Sequence, residues 1–172
     1  MALLVLSVVG SDRPGLTKAL AAAVLSAGGN WLESNLSRLG GLYVGSVLVE
    51  LAADRVEALR SAVRSVDTQG LEVRVAPAIE GPVEGGEELH LSLVGQDRIG
   101  IVDQVTAVLS SLEVNIEAFE TSVRAEPHSG VPLFHMDAHV RLPPKRQAWE
   151  VQAALQDISA EIMVDISITP AQ

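Results

Sequence analysis

The chain has 172 residues, with 22 Asp and Glu against 12 Lys and Arg, a formal net charge of -10. Its 48% apolar content supports a packed core and excludes wholesale disorder, while the absence of cysteine excludes disulfides, thiolate nucleophiles and cysteine-ligated metal centres. Two Trp, one Tyr and two Phe, set in an acidic chain, leave neither stacking platforms nor the basic footprint needed to grip a nucleic-acid backbone.

The opening MALLVLSVVG is too short to span a bilayer, has no basic lead and reaches Asp12 and Arg13 at once. Its residues 3–9 alternate and are rich in Leu and Val, which predicts a strand in a soluble, cytoplasmic protein. The turn GSDRPG follows, and then a helix from about Pro14 to Ala27 with Leu16, Leu20, Ala23, Val24 and Ala27 in one stripe. Pro near the first turn and the pair Gly28-Gly29 beyond the end are its start and stop signals. Strands are expected at 31–39 and 42–51, joined at Gly40-Gly41, a hairpin signal. A second helix runs from about Asp54 to Val66, with Val56, Leu59, Val63 and Val66 on one face, and 71–76 forms a fourth strand. The stretch PAIEGPVEGGEE, residues 77–88, is rich in Pro, Gly and Glu and reads as a linker. Beyond it strands are expected at 88–94, 115–124, 133–142 and 161–169, with helices near 100–112 and 145–158.

The second half repeats the first. At an offset of 85, Leu4, Leu6, Ser7, Val9 and Gly10 recur as Leu89, Leu91, Ser92, Val94 and Gly95. Asp12, Arg13, Gly15 and Asn30 recur as Asp97, Arg98, Gly100 and Asn115. Residues 42–51 match 133–142 at an offset of 91, the six extra residues falling near Glu126–Pro132, a turn where insertions are tolerated. Two copies are too few for a solenoid, so the expectation is two domains, 1–78 and 88–172, around a linker at 79–87. The order strand–helix–strand–strand–helix–strand predicts an α+β fold of two split βαβ units. Each has an antiparallel sheet with helices on one face and strand order 4-1-3-2 if both crossovers are right-handed.

The distinctive local feature is Gly10-Ser11-Asp12-Arg13-Pro14-Gly15, echoed by Gly95-Gln96-Asp97-Arg98-Ile99-Gly100, each followed by an Asn eighteen residues after its Asp. A helix start attracts a carboxylate through free N–H groups and the positive end of its dipole. Asp and turn carbonyls accept from an ammonium group, an Asn amide both donates and accepts, and Gly15 permits close approach to the backbone. These are the requirements of a small zwitterion. The same residues also suit plain structural duties: Asp as an N-cap, Gly as a turn residue, Asn at a helix exit. Duplication copies either kind of need.

This pattern resembles the ACT domain, a regulatory module that binds amino acids, and the tandem covers essentially the whole chain. The GSDRPG opening, the paired domains and the absence of a catalytic partner resemble the glycine cleavage system transcriptional repressor family. The resemblance implies two tandem ferredoxin-like βαββαβ (ACT) domains and an effector held between paired domains. Its candidate ligand-binding residues are Asp12, Arg13, Pro14, Gly15, Leu16 and Asn30, with Asp97, Gly100, Ile101 and Asn115 in the second copy. Ile99 in place of Pro14, and Glu113-Val114 in place of Gly28-Gly29, depart from the first copy. The resemblance further implies glycine or a similar amino acid as effector, a regulatory protein partner rather than DNA, a homodimer, and no cofactor.

Alternation also assigns the sheet faces turned away from the helices. In the first copy that face carries Leu3, Val5, Ser7, Val9, Val44, Ser46, Leu48 and Glu50, largely apolar and suited to association. In the second it carries His90, Ser92, Val94, His135, Asp137, His139 and Arg141. His135 and His139 sit about 13 Å apart on one strand, too far to share an ion, even with Asp165 nearby. A metal site needs His90 paired with just one of them, so a solvated or interface-lining face is the favoured reading and no metal is expected. Residues 1–84 hold 7 basic and 9 acidic side chains, net -2; residues 85–172 hold 5 and 13, net -8. An acidic second half suits steering toward a basic protein.

No Gly-x-Ser-x-Gly elbow, P-loop or Rossmann fingerprint is present, and no enzymatic activity is expected. The reading is a non-enzymatic regulator that senses a small amino acid and modulates gene expression through a protein partner. The alternatives are a ligand-free interaction or dimerisation module and a regulatory subunit of a metabolic enzyme.

Overall fold

The computed structural model describes residues 1–67, 70–79, 81 and 85–171. These fall into two compact units, Met1–Gly81 and Pro82–Gln172. Four residues of the expected linker, 80 and 82–84, lie outside the described residues.

The first unit runs β1 (Ala2–Ser11), α1 (Leu16–Ser26), β2 (Asn30–Leu39), β3 (Leu42–Leu51), a 3-10 turn (Ala53–Arg55), α2 (Val56–Asp67) and β4 (Leu71–Pro77). The second runs β5 (Glu88–Gln96), α3 (Ile101–Ser111), β6 (Asn115–Ala125), β7 (Pro132–Arg141), α4 (Ala148–Ile162) and β8 (Val164–Pro170). The sheet orders are β2-β3-β1-β4 and β6-β7-β5-β8, with every pairing antiparallel. This is the expected 4-1-3-2 order read from the other edge.

Alternation along the central strands divides inside from outside. Leu4, Leu6 and Val8 of β1 and Val47, Val49 and Leu51 of β3 are buried with Leu16, Leu20, Ala23 and Val24 of α1 and Leu59, Val63 and Val66 of α2. The second core repeats this with Leu89, Leu91, Leu93, Met136, Ala138, Val140, Val105, Leu109, Val151 and Leu155. Each such Leu contributes about 1.5–3 kcal/mol by leaving water, which is what holds the helices on their sheets.

Three boundaries differ from expectation for local reasons. Helix α1 begins at Leu16 rather than at Pro14, because Gly15 turns the chain with φ +93° before the first helical residue. Helix α4 is displaced from 145–158 to Ala148–Ile162. The Pro143-Pro144 pair and Arg146 form the lead-in, and Gln147 is the N-cap. Met163, at φ +52°, closes the helix, so the last strand begins at Val164 rather than at 161.

The start of α4 is pH-sensitive in one direction. Glu150 Oε2 accepts from the Gln147 backbone N–H at 2.8 Å, and its other oxygen accepts from Arg146 at 2.9 Å. The backbone hydrogen bond first, and then Arg146, hold its carboxyl below the usual range. Stability from this group is present above the unfolded pKa and is lost as pH falls through the folded one. Glu150→Gln is therefore expected to melt below wild type at neutral pH. The gap should close as the pH drops through and below the ordinary carboxylate range, as followed by circular dichroism. A gap that persists undiminished in acid would assign the effect to packing.

Candidate functional site

The turn between β1 and α1 is built by two glycines with different tasks. A Cβ on Gly10 would run into the Gly70 carbonyl oxygen, so the turn before β4 closes directly over the end of β1. Gly95 repeats this against the Met163 carbonyl oxygen, at 2.6 Å. Gly15 and Gly100 have open space around their Cβ positions and are required instead by φ +93° and +96°, a region that costs other residues about 1–2 kcal/mol. The repeated glycines of this turn are thus explained by backbone geometry.

The charged residues of the turn also find structural partners. Asp12 is not an N-cap. Its Oδ2 pairs with Arg38 Nε at 2.9 Å beside the β2–β3 hairpin tip, and its N–H points to Gly41 O at 3.4 Å. Arg13 lies over Gly70, its Nη2 2.8 Å from the Cβ position there. Arg98 donates to the Glu161 carbonyl at 3.2 Å, in the last turn of α4, where a cation also suits the helix dipole. Leu16 and Ile101 are core residues, each almost wholly buried. Pro14 is exposed on the turn, and Asp97 N–H reaches Pro132 O at 3.3 Å.

Asn30 and Asn115 open β2 and β6 at the other end of each sheet. Asn30 stands opposite Glu50, and Glu50 opposite Leu3, whereas the turn follows Ser11. Eight residues of strand separate the two levels, about 26 Å. Within one unit, then, Asp12, Arg13, Pro14 and Gly15 form one group and Asn30 another; Asp97 and Gly100 are likewise separate from Asn115. No single small ligand touches both groups of one unit.

The Asn ends of the two units differ. After α1, Gly28 takes φ +75° and its N–H and that of Gly29 return to Leu25 O and Val24 O. After α3 the same αL position is held by Glu113, at φ +59°, with Val114 N–H bonded to Leu109 O. Glu113, Asp103, Thr106, Ser110 and Asn115 line an open cavity of about 660 Å³. Its charged groups are carboxylates, which suits an ammonium-bearing ligand. Glu113→Gly removes the backbone strain and is expected to raise the stability of the second unit by about 1 kcal/mol. The measurement is thermal unfolding in the absence of ligand; no gain would mean that Glu113 makes a compensating contact.

Sequence reasoning missed a cluster beside Asn115. Arg141, opposite Asn115 in register, donates to Glu117 Oε1 at 2.6 Å and to Glu88. These two hydrogen bonds, Glu117 first, hold the guanidinium more firmly protonated than usual. Glu117 falls at an irregularity in the β6–β7 register, so simple alternation does not place it beside Arg141. Alternation did place the open faces. Leu3, Val5, Val44 and Leu48 are partly exposed on the first sheet, as are His90, Ser92 and His135 on the second, with Asp137 and His139 exposed.

The paired βαββαβ units, with a glycine-bounded turn at the head of each first helix, define a tandem split βαβ fold. The chain belongs to the ACT domain family, which residues 2–76 match directly. An unknown protein from Galdieria sulphuraria is 32% identical, with 99% of each chain covered and a TM-score of 0.88. A solved "putative glycine cleavage system transcriptional repressor" shares the fold at 16% identity, covering 99% of this chain and 98% of its own, with a TM-score of 0.69. A formyltetrahydrofolate deformylase from Pseudomonas syringae pv. tomato aligns over 53% of this chain and 30% of its own, at 29% identity and a TM-score of 0.41. No curated protein matches in sequence. Among the described residues, no helix is long and apolar enough to cross a membrane.

Proposed function

We propose that this protein is a non-enzymatic cytoplasmic regulator that binds a small amino acid, glycine or a close analogue, and modulates gene expression through a protein partner. The observation that carries the reading is the repetition of the Asp–Gly turn and the distant Asn in both ACT units. Full-length correspondence in fold with a protein named for glycine cleavage repression supports it. The functional units are 1–78 and 88–172 with a linker at 79–87. The turn group and the Asn group lie at opposite ends of each sheet, so an effector site takes Asp12 to Leu16, or Asp97, Gly100 and Ile101, from one chain and Asn30 or Asn115 from a second copy of it. A homodimer supplies enough copies for such pairings. The net charge of -10 favours a basic protein partner over DNA.

The test is a thermal-shift screen of the full chain against the twenty amino acids, followed by calorimetry on the responders. A shift of the melting transition by a small amino acid is expected. No response to any of them removes effector sensing. Salt-sensitive binding to duplex DNA removes the partner-only mechanism.

A second reading, a ligand-free dimerisation module or an enzyme's regulatory subunit, is favoured by the apolar open face around Val5, Val44 and Leu48. Dimerisation together with silence in the amino-acid screen would select it.

A further inference from the structure

The two sheets share a backbone irregularity and use it differently. In β2 the register with β3 passes from Trp31 opposite Val49 to Glu33 opposite Leu48, leaving Leu32 as the extra residue of a bulge. Bulges re-aim side chains. This one turns Glu33 onto the open face beside Leu48, where plain alternation would carry it to the helix side. In β6 the same step passes from Ile116 opposite Val140 to Ala118 opposite His139. The second unit thus presents Ala118 where the first presents a carboxylate, and its extra residue, Glu117, is committed to Arg141.

Around Glu33 the open face is concave. Val5 and Leu48, adjacent in register and partly exposed, form an apolar floor with Glu33 next in the row. Ser46 and Asn35, opposite each other two residues along, add a hydroxyl and an amide. These five residues line a cavity of about 180 Å³. Gly45 lets β2 close on β3 beside it, since a Cβ there would meet the Asn35 carbonyl oxygen. Among the described residues, Glu33 takes part in no hydrogen bond or ion pair through its side chain. Arg74, on the far strand of the same face, is spent on Glu72.

Size and charge together select the occupant. Sites for free small molecules usually measure about 300–1,000 Å³, so this cavity suits a single side chain instead. An apolar floor with a free carboxylate at its edge fits a methylene stem laid on Val5 and Leu48 with a cationic head at Glu33. We propose, resting on the partner-mediated function above, that this cavity receives a basic side chain of the protein partner. Arginine fits best, because its fork reaches Glu33 and a neutral acceptor, Ser46 or Asn35, together. Leu3, Val9 and Val44 continue the face around the cavity, so the partner carries apolar residues beside its arginine. A buried arginine anchor within an apolar surround is the usual form of an interface hot spot.

The experiment titrates the nitrogen-15-labelled full chain with the blocked peptide Ac-Gly-Leu-Arg-Leu-Gly-NH2, followed by amide chemical shifts. The comparison peptides carry norleucine or Glu in place of the arginine. The arginine peptide is expected to bind at least about tenfold more tightly than either, with shifts centred on Glu33, Ser46 and Leu48. Glu33→Gln should remove that preference, and Glu57→Gln, on α2 across the sheet, should keep it. Both positions are exposed, so both variants should keep native circular dichroism. The proposal is overturned if the arginine peptide binds no better than the norleucine one, if Glu33→Gln binds it as wild type, or if Glu57→Gln weakens it equally. Free L-arginine binding as tightly as the peptide would also overturn it, making the cavity an effector site. So would a change in sedimentation of the peptide-free chain on Glu33→Gln, which would assign the cavity to a second copy. The amino-acid-induced melting shift should be the same in Glu33→Gln and wild type. A failed peptide titration beside a persisting amino-acid shift overturns the docking point alone; silence in both removes the proposed function as well.

Discussion

Gly10→Ala is expected to lower the stability of the first unit by about 2–3 kcal/mol, a fall in its melting transition of roughly 10–20 °C for a domain this size. The added methyl meets the Gly70 carbonyl oxygen and the Leu71 Cα, both backbone, so a change of rotamer gives no relief. Gly95→Ala should do the same to the second unit, where the obstacle is Met163 O with the Val164 side chain. Gly15→Ala, with nothing within 4 Å of its Cβ position, faces only the positive φ and should cost about 1–2 kcal/mol. Scanning calorimetry on the three variants distinguishes them. If Gly10→Ala melts as wild type, the closure of the β4 lead-in over β1 is not a constraint on the fold.

Asn30→Ala and Asn115→Ala are expected to abolish the amino-acid-induced thermal shift from the sites they serve while changing the unliganded melting transition by less than about 0.5 kcal/mol. Both asparagines are exposed at the first position of an edge strand. Losing either side chain opens no cavity in a core. A ligand whose shift survives both substitutions binds elsewhere. A variant that unfolds without ligand assigns the asparagine to turn formation. Asp12→Ala is a weaker probe, because it also breaks the pair with Arg38.

Much of the fold was legible because its signals are periodic and repeated. Strand alternation separated Leu4, Leu6 and Val8 from Val5, Ser7 and Val9, and the helical stripe Leu16, Leu20, Ala23, Val24, Ala27 is the buried face of α1. The beginning of α4 was less legible. The charged run Lys145-Arg146 looks helical, but the chain enters the helix only after Gln147, where Glu150 secures the first turn. The candidate site was legible as a set of residues and not as a set of contacts. Sequence spacing ties Asp12 to Asn30, yet α1 carries the chain back along the sheet and leaves them at opposite ends. Arg13 and Arg98 gave no sign that they reach the turn after α2 and the last turn of α4, tens of residues away.

The acidic composition, the absence of cysteine, the duplication and the two-unit organisation are properties of the sequence alone, because each is read from residue type or short-range periodicity. The strand order follows from the element order and right-handed crossovers, but tertiary structure decided which residues stand opposite one another. It thereby set Gly10 beneath Gly70, Arg141 between Glu88 and Glu117, and His90 opposite His139. Those juxtapositions join residues 49 to 60 positions apart, or bridge a register irregularity, and no local period encodes them. They arise only when the buried faces of both helices have fixed the order and register of the sheet beneath them.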